Sequence, residues 1–106
     1  MDRPLDQDCP PAPVPDGADV RELPIINRRG LHARASAKFV QTVERFNSDV
    51  TVTRCGETVG GRSIMGLLTL AAAQGTSITV TAKGEDAQDC LQAIDDLLAN
   101  KFGEDE

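Results

Sequence analysis

Aromatic side chains are almost missing from this chain, which holds three Phe and neither Trp nor Tyr among 106 residues. Its core must therefore be aliphatic. Long apolar runs are missing as well. The longest extend only a few residues, far short of the roughly 20 that a membrane helix requires, so no membrane span is expected. The start, Met1-Asp2-Arg3-Pro4, carries no hydrophobic signal core, so a cytoplasmic protein is expected. Cysteine is scarce and odd in number. Cys9, Cys55 and Cys90 lie far apart with no Cys-x-x-Cys pair and a single His to assist, which argues against a disulfide framework or a zinc site and for incidental thiols.

Acidic groups outnumber basic ones by 17 to 11, giving a net charge of −6. Such a chain is a poor partner for nucleic acid. The charge is uneven along the sequence. Residues 1–18 hold one Arg against four Asp, and residues 63–106 hold two Lys against eight acids. Residues 19–62 reverse the sign, with eight basic groups against five acidic ones. Arg28, Arg29, Arg34, Lys38 and Arg45 all fall in this basic stretch, which suits an anionic ligand or an acidic partner surface.

The length allows one small domain with a single core. Five of the six prolines lie in residues 4–15, so residues 1–18 read as a flexible, proline-rich acidic extension. Residues 19–102 read as the folded domain, and 103–106 as a frayed acidic tail. Within the domain, residues 20–27 form a first strand with Leu23 and Ile25 on one face. Pro24 cannot donate to a ladder and marks this strand as an edge. Ser36, Phe39, Val40, Val43 and Phe46 recur at helical spacing and predict a helix from about Ala33 to Arg45. Val50–Arg54 alternates as a strand, and Cys55-Gly56 turns it into a short one around Glu57–Val59. Ser63 is placed to cap a helix carrying Ile64, Leu67, Leu68 and Ala71 on one side, ended by Gln74-Gly75 with the glycine as left-handed cap. Thr76–Lys83 is a further strand burying Ile78, Val80 and Ala82. The last helix carries the stripe Ala87, Cys90, Leu91, Ile94, Leu97 and Leu98. The order βαββαβα predicts an α+β fold, a two-layer open-faced sandwich whose four-stranded antiparallel sheet is covered on one side by three helices.

The only histidine, His32, falls where the Asn27-Arg28-Arg29-Gly30 loop meets the first helical pattern. Imidazole has an unperturbed pKa of roughly 6.5, so a side chain of this type offers a neutral nucleophile near neutral pH. The residues that follow supply free backbone N–H groups and the positive end of a helix dipole. Arg34 opposes that dipole by roughly 0.3–1 kcal/mol. Its presence makes sense if an anion binds between the two. A nucleophile beside an anion-binding helix start is equipment for holding a phosphoryl group.

Gly30-Leu31-His32-Ala33-Arg34, followed by small residues, resembles the active-site motif of the HPr family, the histidine phosphocarriers of the phosphoenolpyruvate-dependent phosphotransferase system. The likeness runs over residues 20–102, and βαββαβα is the order of that family. A second stretch, Arg62-Ser63-Ile64-Met65-Gly66-Leu67-Leu68, is similar to its regulatory-serine helix. The resemblance implies a phosphocarrier and not an autonomous catalyst, working without metal or cofactor. His32 then takes a phosphoryl group on Nδ1 from enzyme I and passes it to an enzyme IIA-type acceptor, with Arg34 holding the phosphate. Ser63 is implied as the target of an HPr kinase/phosphorylase. As a helix cap it also has an ordinary role, worth about 1 kcal/mol. Ala33, Ala37, Gln41, Ile64 and Met65 are implied as the face on which partners dock, and a carrier that presents one small face is expected to be a monomer.

Three positions depart from the family pattern. Ala35 stands where most members have proline and adds an N–H donor near the phosphate. Ser36 takes a place usually filled by a small apolar residue. Arg29 replaces a small polar residue, which removes a hydrogen-bond partner for the imidazole and leaves open how His32 is oriented. The acidic ending Gly103–Glu106 points to a nitrogen-type, regulatory branch, with sugar uptake as the alternative. A rival of another class is a non-catalytic binding module of the same fold. Retention of both His32 and Arg34 argues against it, since a pure binding module needs neither.

Overall fold

The structure is a computed structural model that describes residues 9–105. The reading of residues 1–8 as part of an extension, and of Glu106 as part of a tail, lies outside the described residues. The elements are β1 (Asp19–Pro24), α1 (Ala33–Val43), β2 (Asp49–Arg54), β3 (Glu57–Gly60), α2 (Ile64–Thr69), β4 (Ser77–Lys83) and α3 (Ala87–Ala99), followed by a single 3₁₀ turn at Lys101–Gly103. This is the expected βαββαβα order.

The four strands form one sheet in the order β1-β4-β2-β3, with every neighbouring pair antiparallel. Pro24 is thereby tolerated, because β1 is an edge. Strand alternation sends Leu23, Val50, Val52, Ile78, Val80 and Ala82 into the core. They meet Phe39, Val40 and Val43 of α1, Leu67 of α2, and Cys90, Leu91, Ile94 and Leu98 of α3. Burial, aided by the nearby Asp86 charge, pushes the Cys90 thiol up, which keeps it an inert packing group. Threonines stand on the alternate strand positions. The hydroxyls of Thr51 and Thr81 lie 2.5 Å apart, and those of Thr53 and Thr58 2.8 Å apart, cross-strand pairs that reinforce the register.

Cys55-Gly56 joins β2 to β3 as a two-residue hairpin loop with φ of 48° and 81°. Positive φ at both positions is the turn whose twist matches the strands. Here one cysteine expectation is corrected, since Cys9 and Cys55 form a disulfide with their Cα atoms 4.5 Å apart. A separation of 46 residues hides this pairing in the sequence. Only the hairpin brings Cys55 back beside residues 9–12, which line a cavity of about 170 Å³ with Glu22, Thr53 and Thr79.

α2 is also shorter than its pattern suggests. It stops at Thr69, and Ala71 rather than Gly75 takes the left-handed conformation beside the helix end, with φ of 50°. Its inward residues are Leu67, then Leu70 and Ala72 beyond the helix, while Ile64 is exposed. Fewer than two helical turns give too short a period to fix the buried face. Tertiary bonds decide instead: the Ala72 carbonyl accepts from the Leu31 N–H at 2.8 Å, and the Leu70 carbonyl from Arg54 at 3.3 Å.

Candidate functional site

The loop before α1 is built to bring a side chain to a helix start. Gly30 has φ of 68°, and a Cβ there would lie 2.5 Å from the Ala72 carbonyl oxygen, so no larger residue fits this close approach. Asn27, fully buried, donates through Nδ2 to the Gly30 carbonyl at 2.8 Å. With the Leu31–Ala72 bond, these contacts pin the loop to the segment after α2.

His32 then occupies the N-cap of α1 with φ of −77° and ψ of −177°, and its side chain makes no capping bond. Its carbonyl accepts from the Ser36 N–H at 2.8 Å. The N–H groups of Ala33, Arg34 and Ala35 precede the first intrahelical donor; Ala33 and Arg34 are exposed and offer theirs to an anion, whereas Ala35 is fully buried. Arg34 is exposed in that first turn, which holds no acidic residue. Ser36, the unusual small polar residue, is fully buried and donates its hydroxyl to the Leu31 carbonyl at 3.3 Å. It is a local tie behind the site.

The ring of His32 is held by a residue that sequence reasoning missed. Its Nε2 lies 2.5 Å from Oε2 of Glu104, and each side chain is only 17% exposed. The other oxygen, Oε1, accepts from Asn27 Nδ2 at 3.1 Å. The ending read as a frayed tail is thus folded onto the site at Glu104. Burial pushes the Glu104 carboxyl up, but the hydrogen bonds from His32 and Asn27, with the charges of His32 and Arg29, outweigh it and hold the group below its ordinary 4.5. Glu104 also lines a cavity of about 520 Å³ together with Arg28, Arg29, Arg34 and Lys38. Four basic side chains around one opening make it attractive to anions. The only sequence signal for this carboxylate was its place in a short acidic ending.

Ser63 caps α2, and its Oγ accepts from the Gly66 N–H at 2.9 Å. It is not in contact with His32. The segment after α2 reaches the His32 loop, whereas Arg62, next to Ser63, donates to the Phe46 and Ser48 carbonyls beyond the far end of α1. α1 and α2 pack against each other. On them Ala33 and Gln41 are exposed, Ala37 is half-buried, Ile64 is 40% exposed and Met65 71%. Two large apolar side chains left in water on one short helix suit an adaptable contact surface. No helix among the described residues is long and apolar enough to cross a membrane.

Comparison with known proteins agrees with this geometry. A family model described as "PTS HPr component phosphorylation site" matches residues 20–100. The phosphocarrier protein HPr of Xylella fastidiosa (strain Temecula1) is 49% identical over 84 residues, which cover 79% of this chain and 94% of that protein. Its counterpart in Neisseria meningitidis serogroup A is 49% identical over 86 residues, covering 81% and 97%. The crystal structure of an HPr from Thermoanaerobacter tengcongensis superposes with a TM-score of 0.79 at 38% identity, over 83% of this chain and 99% of that one. A histidine at an uncapped helix start, the four-stranded sheet beneath it and these matches lead to one conclusion: the chain belongs to the HPr family, phosphocarriers of the phosphotransferase system that accept a phosphoryl group from enzyme I and are not themselves enzymes.

Proposed function

We propose that His32 is the phosphoryl acceptor, that Arg34 and the first-turn amides of α1 hold the phosphoryl oxygens, and that an enzyme IIA-type protein takes the group onward. The observation that carries this reading is the placement of the only histidine at a helix start that lacks a side-chain cap. Neutral imidazole attacks phosphorus through Nδ1. The N–P bond forms as the donor's bond to phosphorus breaks, and Nε2 keeps its proton throughout. The phosphoryl oxygens then meet N–H donors and the Arg34 guanidinium, whose fork matches phosphate geometry as a lysine does not. The grip must be moderate, because a carrier that binds its product too well cannot hand it on.

Enzyme I and the IIA-type acceptor dock on the same face, formed by Ala33, Ala37 and Gln41 of α1 with Ile64 and Met65 of α2. The protein acts as a cytoplasmic monomer and needs neither metal nor cofactor. Ser63 is the site for an HPr kinase/phosphorylase. It is exposed, and a phosphate there would keep an acceptor oxygen for the Gly66 amide while adding negative charge to the docking face. Its effect runs through docking, since Ser63 is not in contact with His32.

A nitrogen-type, regulatory branch is supported by the acidic ending. The rival, sugar uptake, is decided by the acceptor: transfer to a nitrogen-type IIA and not to a sugar-type IIA is the expected result. The carrier role itself is tested with enzyme I, Mg²⁺ and phosphoenolpyruvate. The protein should gain one acid-labile phosphoryl group, and His32→Ala should gain none. An unmodified wild-type protein beside an active cognate enzyme I would overturn the assignment.

A further inference from the structure

The residues beyond α3 are fixed at three points before they reach the histidine. Lys101, Phe102 and Gly103 all have positive φ, 54°, 57° and 80°. Two non-glycine residues in a row in this region are costly and persist only where the surroundings enforce them. The enforcing contacts are visible. Phe102 is 1% exposed in the core, and its carbonyl accepts from Lys38 Nζ at 2.6 Å. The chain reversal delivers Glu104 to a slot whose far wall is Asn27, itself buried and bound to the Gly30 carbonyl. Both carboxylate oxygens therefore have fixed donors, Asn27 Nδ2 on one and His32 Nε2 on the other.

We propose that Glu104 is a positioning residue for phosphoryl transfer, which fixes the His32 imidazole with its hydrogen on Nε2 and its lone pair on Nδ1. This deepens the carrier role assigned above and rests on it. An ionised carboxylate can only accept hydrogen bonds, so the ring nitrogen facing it must be the donor. In a neutral imidazole the other nitrogen is then unprotonated. The two nitrogens lie on opposite edges of the ring, so anchoring Nε2 presents Nδ1 away from the tail. As Nδ1 attacks, positive charge develops on the ring, and the carboxylate on Nε2–H stabilises it while the proton stays in place. Asn27 and Phe102 act one step further back by holding the carboxylate itself.

This role supplies what Arg29 withdrew. The loop residue gives no small polar partner to the imidazole, and Glu104 reaches the ring from the other end of the chain. The opposite role is a plug, in which the carboxylate competes with phosphate for the cationic opening. Contact through Nε2 rather than Nδ1 favours positioning.

The test compares wild-type protein with Glu104→Gln in two measurements. Nitrogen-15 NMR of the imidazole should show one tautomer, hydrogen on Nε2, in the wild type at a pH where the ring is neutral, and a mixture in Glu104→Gln. Phosphorylation by enzyme I and phosphoenolpyruvate should slow on the order of tenfold, the factor that a loss of about 1.4 kcal/mol in the transition state implies. A purely structural role would leave the tautomer signature unchanged. Equal tautomer populations and equal rates in the two proteins would overturn the positioning role while leaving the carrier role intact. A faster Glu104→Gln would overturn it in favour of the plug. No phosphorylation of the wild type at all would remove the carrier reading and this one with it.

Discussion

The two helices that frame the site begin in opposite ways. α2 starts at Ser63, whose hydroxyl takes up the Gly66 amide within its own first turn. α1 starts at His32, whose side chain caps nothing and turns Nε2 to a carboxylate from the end of the chain. Every helix start leaves N–H groups without partners. One start satisfies such a group locally with the residue type that does it best. The other keeps its amides open and places a nucleophile where the cap acceptor would be. A local rule of helix design is broken at α1 and obeyed at α2, and at α1 the break coincides with a nucleophile at the cap position.

The largest perturbation of this comparison removes the anchor that brings Glu104 to the open helix start. Phe102→Ala empties a fully buried aromatic position and should cost roughly 3–5 kcal/mol in urea unfolding. The two left-handed residues Lys101 and Phe102 then lose the contact that enforces them, and Glu104 should leave His32. The amide resonances of Asn27 and Gly30 should report that departure, while the Gly66 amide keeps its Ser63 partner. Unchanged Asn27 and Gly30 resonances in a folded Phe102→Ala protein would show that Lys38 alone holds the tail.

The contrast between the two starts was partly legible in the sequence. Ser63 before an apolar run is a recognised cap signal, and its hydroxyl bond matches it. His32 at the cap, the buried stripes of α1 and α3 and the edge position of β1 also follow from local periodicity and from Pro24. What was hidden depends on distant residues meeting. Glu104 lies 72 positions from His32, Asn27 lies 77 positions from Glu104, and Cys9 lies 46 positions from Cys55. No local pattern encodes such pairings. Phe102 was placed at the domain boundary because two left-handed residues end every periodicity there, although its side chain belongs to the core. The end of α2 was misplaced for a related reason: Ala71 takes a conformation that glycine usually occupies, so Gly75 looked like the stop.

A smaller effect is expected from the satisfied helix start. Ser63→Ala leaves the Gly66 amide without its acceptor and should cost about 1 kcal/mol in urea unfolding. Acceptance of phosphate at His32 should be unchanged, because the two positions are not in contact. The same variant removes the hydroxyl assigned to the kinase, so an HPr kinase/phosphorylase with ATP should place acid-stable phosphate on the wild type and none on Ser63→Ala. If the kinase labels both proteins equally, Ser63 is not its target. If Ser63→Ala accepts phosphate at His32 much more slowly, the two helix starts are coupled and the comparison fails.

The smallest effect comes from acid, and it separates the two starts without any mutation. The Glu104 carboxyl is held below its ordinary 4.5 because the docked state favours the ionised form. For a depressed carboxylate, the linkage contribution is fully present above the ordinary value and is lost as pH falls through the docked value, somewhere under 4.5. Arg28, Arg29, Arg34 and Lys38 face the same cavity, and Asp105 is the other acid lining it. Protonated Glu104 can no longer accept on both oxygens as an anion, so the Asn27 side-chain amide should shift as the tail loosens. The Ser63 hydroxyl has no proton to gain in this range, and the Gly66 amide should hold still. NMR of these two amides between pH 6 and 3 checks the difference. Movement of Asn27 Nδ2 with a midpoint below 4.5 and a static Gly66 would confirm that only the open helix start is tied to an ionised partner. Parallel movement of both would mean that acid loosens the fold as a whole.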